Sequence, residues 1–290
     1  MKKENKKQPK YDKLTPKYDL TSETTKINDI ILHRIRALRD ISKQGVKKGD
    51  LGGWIENVTN LNQYDNSWIG GNAKVFGNAK VYGNAEIWDN AIAHNNVEIY
   101  DNASVFGKAV IHANAKVYGN SSVYGDAILN DDAEVYGNSR VYNNAEIRGN
   151  AKVYGNARIC DYGYVYGNAR IHGNVVICGN AVAREHVNVC GNVSVESYAE
   201  ICGNAVIQRD GDYMIFKNCW SSSRWFTYTK SNKMWKVGCF YGTGDELIKK
   251  AYKKSKLVGK CYELAVKYAQ DIEKIISKSK KHKVKNEQKI

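Results

Sequence analysis

The stretch GNAKVFGNAKVYGNAEI, Gly71 to Ile87, contains nearly three copies of one six-residue unit, and that unit decides the fold. It recurs from residue 61 to 208 without an insertion or deletion, through 24 hexads. The first apolar mark of each hexad is small, reading Ser67, Ala73, Ala79, Ala85 and onward to Ala205, with Gly163 alone lacking a side chain. Two residues later stands an aliphatic mark: Ile69, Val75, Val81, Ile87 and so on to Ile207. Apolar residues spaced by two and then by four describe a short strand with both marks on one face, followed by a turn. The turn is Gly-Asn, as in Gly77-Asn78 and Gly119-Asn120. Gly and Asn are the residues that most readily adopt positive φ, so each pair marks a sharp corner.

Such a chain is a solenoid, in which no coil is stable alone and each buries its Ala/Val core against its neighbours. Three hexads make an 18-residue, three-sided coil. Twenty-four hexads give eight coils, a column about 38 Å tall at roughly 4.8 Å per strand. Residues 18 apart then stack, so each outer face can be read separately. One alternates Lys80, Glu98, Lys116, Glu134 and Lys152, each followed two residues on by Tyr82, Tyr100, Tyr118, Tyr136 and Tyr154. Alternating charge and stacked rings make this face structural. A second places Arg140 and Arg158 beside Tyr124 and Tyr142, with Arg170 on the neighbouring ladder, a combination suited to phosphate and base stacking. The third turns Ile92, Val110 and Ile128 outward, a stripe that another copy of the chain or the C-terminal helices would cover. His94 and His112 stack on this face with no third ligand in their ladder, so surface imidazoles in aromatic positions are expected in place of a metal site.

The net charge of +14 is unevenly placed. Residues 1–60 carry +6, 61–208 carry −4 and 209–290 carry +12. Basic ends can attract nucleic acid, an anionic surface or an acidic protein, or simply keep a rod soluble. Lys278, Lys280, Lys281, Lys283 and Lys285 concentrate this charge in the C-terminal tail. Seven cysteines without a Cys-x-x-Cys pair argue against a disulfide framework or a zinc finger. Four of them, Cys160, Cys178, Cys190 and Cys202, hold the hexad position that aromatics hold elsewhere and read as packing substitutes. The polar N-terminus and the lack of an 18-residue apolar run predict neither signal peptide nor membrane span, and hence a reducing cytoplasm.

Outside the repeat, residues 1–16 read as a disordered basic arm and 17–60 as an N-terminal cap. Within the cap, Ile31 to Leu38 suits strand or helix. Residues 209–278 read as a small α+β domain. Its strand-like runs are Tyr213 to Asn218, Arg224 to Lys230 and Met234 to Phe240. Thr243 and Glu246 form a capping box for a helix bearing Leu247, Ile248, Ala251 and Tyr252. A second helix carries Leu257, Cys261, Leu264, Ala265, Tyr268, Ile272 and Ile275 at helical spacing. Residues 279–290 form a basic tail.

The repeat resembles the left-handed parallel β-helix of hexapeptide-repeat proteins, with a right-handed, bactofilin-like helix as the alternative. LHRIRAL (32–38), VKKGDLGGWIE (46–56), the GNA units and FTYTKSNKMWKVGCFYGTGDEL (226–247) together resemble β-helical proteins of prophages and low-GC bacteria, often labelled polymer-forming. The resemblance implies a mobile-element setting, and with it a non-enzymatic binding or scaffold protein that occupies a host protein or nucleoprotein complex. Its sharper form is an anti-defence inhibitor such as an anti-CRISPR. A self-assembling bactofilin-like polymer is one alternative. A hexapeptide-repeat acyltransferase is another, disfavoured because that family's catalytic His sits on a loop interrupting the coils, and the repeat here is uninterrupted. No cofactor is expected.

Overall fold

The computed structural model describes residues 15–287, and side chains as far as residue 276. The chain divides into two compact units, Met1–Asn130 and Asp131–Ile290. The fold is mainly β, a parallel β-solenoid followed by an antiparallel sheet and two helices. Rungs on one face begin at Leu51, Lys74, Ile92, Val110, Ile128, Glu146, Tyr164, Val182 and Glu200, making about nine turns where the hexads alone predict eight. The extra turn lies in the segment expected to be a cap. Trp54 pairs with Lys74 and Leu61 with Val81, both 20 residues on, whereas Trp68 pairs with Glu86 at the regular 18. Two additional residues between Leu61 and Trp68 hide this first coil from a strict count of six.

In the first unit, each two-residue strand turns one residue inward and one outward, as in Lys80-Val81 and Glu98-Ile99. The inward marks Ala73, Val75, Ala79, Val81, Ala85 and Ile87 are almost wholly buried. Burying an aliphatic side chain stabilises by about 1.5–3 kcal/mol, so the core is a sum of many modest contacts. The corners repeat with the same regularity. Gly71, Gly77, Gly83, Asp89, Asn95, Asp101, Gly107, Ala113, Gly119 and Gly125 all take positive φ, and in the second unit the series resumes at Asp131 and runs to Gly203, all between +56° and +83°.

The segment Ile30–Ala37, open to either reading from sequence, is a strand. It pairs antiparallel with Tyr18–Ile27 on one side and Leu51–Ile55 on the other, and the latter pairs in parallel with Lys74–Val75. The expected cap therefore extends one sheet of the solenoid. Its anchor is Lys17, wholly buried, with Nζ 2.7 Å from Asp65 and 3.0 Å from the Ser67 hydroxyl. Burial lowers the Lys17 pKa to about 8 against the opposing pull of Asp65.

In the second unit the last coils run into a four-stranded antiparallel sheet of Tyr213–Asn218, Arg224–Thr229, Met234–Val237 and Phe240–Gly242. The fourth strand is absent from the sequence reading, which runs the third on to Phe240. Thr243 caps helix α1 (Gly244–Lys254) with the reciprocal Glu246 bond of a capping box. Helix α2 (Lys256–Glu287) continues nine residues past the expected end of the domain at 278, so the backbone of the expected tail is helical as far as Glu287. The core of this module is Phe226, Tyr228, Trp235, Val237, Leu247, Ala251, Val258, Tyr262, Val266 and Ala269.

Two predictions concern stability. Adding a Cβ at Gly107 would bring it 2.8 Å from the Gly125 nitrogen, so Gly107→Ala is expected to lower stability by about 2 kcal/mol or more. Ala113→Gly, at the equivalent corner with φ +60°, is expected to raise it by up to about 1 kcal/mol. Urea midpoints of the two variants should move in opposite directions. For Lys17, a folded pKa below the unfolded value means that the unfolded chain binds the extra proton between about pH 8 and 10.5, so stability from this group rises across that window. Comparing thermal melts of the wild type with Lys17→Met checks this: the wild type should gain on the variant between pH 8 and 10.5, while tyrosine ionisation cancels.

Candidate functional site

The corners supply more than a bend. In the first unit Asn66 Nδ2 donates to Asn84 Oδ1 at 2.9 Å, Asn84 to Asn102 at 3.1 Å and Asn102 to Asn120 at 2.9 Å, with a second series from Asn78 through Asn96 to Asn114. In the second unit Asn138, Asn156, Asn174 and Asn192 do the same. Where the corner residue is acidic, its carboxylate accepts the N–H of the glycine one coil on, as Asp89 does from Gly107 at 3.0 Å and Asp161 from Gly179 at 3.2 Å. These ladders hold the outward side chains on a fixed lattice.

The Lys/Glu/Tyr face has the expected structural character. Tyr82, Tyr100 and Tyr118 stack at 4.9 Å between successive centroids, and Lys116 lies 3.1 Å from Glu98. In the second unit Tyr136, Tyr154 and His172 continue the pattern, with Lys152 2.8 Å from Glu134. His94 and His112 stack at 5.4 Å in series with Phe76, so the imidazoles stand in an aromatic ladder. Ile92, Val110 and Ile128 are neighbours in register, each outward and half-buried.

Arg140 and Arg158 pair directly on adjacent rungs of the second unit. Both are exposed, and neither has an ion-pair partner among the described residues. Tyr142 stands two residues from Arg140 and is half-buried, while Tyr124 belongs to the first unit, where it stacks on Phe106 at 4.7 Å. Arg170 is exposed on a different sheet of the second unit, in register with Lys152. The structure thus brings Arg140 and Arg158 together as a like-charged pair. Lys278, Lys280, Lys281, Lys283 and Lys285 fall on the α2 backbone, but their side chains lie outside the described residues.

The C-terminal module holds features that sequence spacing does not reveal. A cleft of about 600 Å³ is lined by Tyr228, Lys233, Trp235, the start of α1 at Thr243 to Asp245, and Gln270, Glu273 and Lys274 of α2. On its wall the Tyr228 hydroxyl donates to Glu273 Oε2 at 2.8 Å and Lys233 Nζ bonds the other oxygen. Burial works against the Glu273 charge, but these two donors hold its pKa below the ordinary carboxylate range, while burial and the Glu273 bond push the Tyr228 phenol well up. Partners 40 and 45 residues apart leave no local signal.

Helix α2 corrects the sequence reading most. Its core face is Val258, Tyr262, Val266 and Ala269, one step round the helix from the predicted stripe. Cys261, Ala265 and Ile272 are half-buried, whereas Leu257 is 69 % exposed and Ile275 66 %, with Leu264 and Tyr268 also exposed. Lys260, Lys267 and Lys274 run beside this outer stripe at seven-residue intervals. At the tip between the first two strands of the sheet, Trp220 is 92 % exposed between Lys217 and Arg224.

No protein-family model matches the chain, and no curated protein matches it by sequence.

Since Glu273 has a depressed pKa in the fold, the stability it contributes is present above its unfolded value near 4.5 and is lost as pH falls below it. Glu273→Gln is expected to melt at a lower temperature than the wild type at pH 7, and the gap should narrow towards pH 3.5.

Proposed function

We propose that the protein is a non-enzymatic binding protein in which a rigid solenoid carries a partner-docking module. The observation that supports this most is the outer face of α2. Leu257, Leu264, Tyr268 and Ile275 are exposed at intervals of seven, four and seven, the spacing of a seam that receives another helix. Exposed apolar groups in a continuous row lose solvation free energy unless a partner covers them. The flanking Lys260, Lys267 and Lys274 favour a partner helix with acidic residues along its edges. Arg140 and Arg158 form a second, more polar surface suited to phosphate or carboxylate.

The sharper form, inhibition of a host nucleic-acid-guided or nucleotide-signalling system, is supported by the prophage-like segments and by the +12 charge of residues 209–290. A membrane anchor is not part of the reading; among the described residues no helix is long and apolar enough to cross a membrane.

Affinity capture from a host extract tests the assignment with three baits: wild type, a Leu264→Asp/Tyr268→Asp variant and an Arg140→Glu/Arg158→Glu variant. A protein retained by the wild type and the arginine variant, but reduced at least tenfold on the α2 variant, is the expected outcome. Loss on the arginine variant alone would move the site to the solenoid. No retained partner on any bait would overturn the binding reading.

A further inference from the structure

The aromatic ladder position changes character in the second unit, where Tyr142 is followed one coil on by Cys160, then Cys178, then Glu196. Strand pairing sets these residues on adjacent rungs: Arg158-Ile159 aligns with Val176-Ile177, which aligns with Ser194-Val195, and the ladder residues follow each pair. Both cysteines are free thiols, Cys160 buried and Cys178 half-buried. Asp161 follows Cys160 at a corner with φ +56°. Its Oδ2 accepts the N–H of Gly179, the residue after Cys178, at 3.2 Å, and its Oδ1 accepts from Asn143 Nδ2 at 3.0 Å. The carboxylate therefore bridges from the Cys160 rung to the Cys178 rung. One ligand atom from each of Cys160, Asp161 and Cys178 lies within 4.8 Å of the other two.

We propose that Cys160, Cys178 and Asp161 form a binding site for a thiophilic divalent cation of the zinc or cadmium kind. Tetrahedral zinc with sulfur at about 2.3 Å needs a sulfur–sulfur separation near 3.8 Å, within reach of small χ1 adjustments from the separation here. The two hydrogen bonds to Asp161 act as the outer partners that orient a ligating carboxylate. Glu196, one rung beyond Cys178, supplies an oxygen on the open side, and its charge already acts on that thiol. Plain packing accounts for a cysteine in a ladder but not for this conjunction. Cys190 follows His172 in its ladder and Cys202 follows Arg184, so neither has a second thiol on the rung before it.

On binding, each thiol exchanges its S–H bond for a sulfur–metal bond and its proton passes to solvent, two protons per cation. Burial pushes the Cys178 thiol up to about 11, so the metal-free site keeps that proton at neutral pH and affinity falls steeply as pH is lowered.

The test uses the full chain, reduced and stripped with chelator, titrated with Cd²⁺ while the ultraviolet thiolate-to-cadmium absorption is followed. One equivalent per chain should develop the band, release two protons to a pH indicator and raise the melting temperature. Zn²⁺ should compete the band away. Cys160→Ser and Cys178→Ser should each weaken binding at least tenfold, while Cys190→Ser should leave it unchanged. Asp161→Asn should fold normally, because Asn95 and Asn143 occupy equivalent corners, and should also bind at least tenfold more weakly. A band that survives both cysteine substitutions would come from exposed Cys219 and Cys239 and would overturn the site. So would an oxidised Cys160–Cys178 pair in freshly purified protein, or binding unaffected by Asp161→Asn.

Discussion

The hydrogen bond between one corner and the next sets the terms for everything else in the solenoid. A two-residue strand offers few backbone bonds, too few to hold a coil in register alone. The corner adds to them. A residue with φ near +60° turns the chain through one side of the triangle, and the polar group beside it reaches the equivalent corner 18 residues on, as Asn84 reaches Asn102. Each such bond contributes about 0.5–1.5 kcal/mol net, comparable with the burial of one small inward side chain. Because the bonds recur at every side of many coils, an insertion in any hexad would break a ladder on both sides of it. The uninterrupted count of six is therefore a structural requirement, and corners occupied by Ala113, Glu185 and Ser197 show that the position of the bend matters more than the ease of making it.

That requirement explains which parts of the structure are legible in the sequence. Strand positions, inward residues and outer faces follow from counting by six and eighteen, because every coil obeys one rule. Asn78, Asn96 and Asn114 are equally periodic, yet their side-chain ladder is invisible to a reading that treats Gly-Asn only as a turn. The first coil escapes notice because two extra residues before Trp68 shift its register. Lys17 looks like part of a polar arm until Asp65 and Ser67 close around it. In the C-terminal module, helical periodicity identifies α2 but not which face turns inward. Leu257, Leu264, Tyr268 and Ile275 are as apolar as Val258, Tyr262 and Val266, and the sheet residues Phe226 and Trp235 select between them. The Tyr228–Glu273–Lys233 cluster depends on that same docking and has no shorter-range signature.

The end of the column illustrates how a periodic structure meets an aperiodic one. The last coil has backbone donors with no further coil to receive them, and an open row of this kind recruits other strands. Here side chains of the following segment take the place of a coil. The N–H groups of Ser194, Glu200, Val206 and Gln208 donate to Asp210, Thr227, Ser231 and Asp212 respectively. Lys236 pairs with Glu200 at 3.1 Å, and the Tyr213 hydroxyl reaches the Ser194 carbonyl at 2.8 Å. This arrangement weighs against elongation through that end, which a bactofilin-like polymer would need, and leaves the module's other surfaces available for recognition.

A lattice of this kind also makes new chemistry cheap to acquire. On an irregular surface, two ligating groups reach a common point only through coordinated changes in several elements. On a ladder, two single substitutions 18 residues apart suffice, because the backbone already sets the separation and the corner residue beside them is already oriented. Arg140 and Arg158 create a doubled positive charge by this route, and Cys160 and Cys178 create a paired thiol. Where the corner next to such a pair is Asp rather than Gly, a carboxylate is added with no change of fold. The same regularity that conceals function, by making every rung look alike, therefore concentrates it at the few rungs where the ladder residue departs from Tyr.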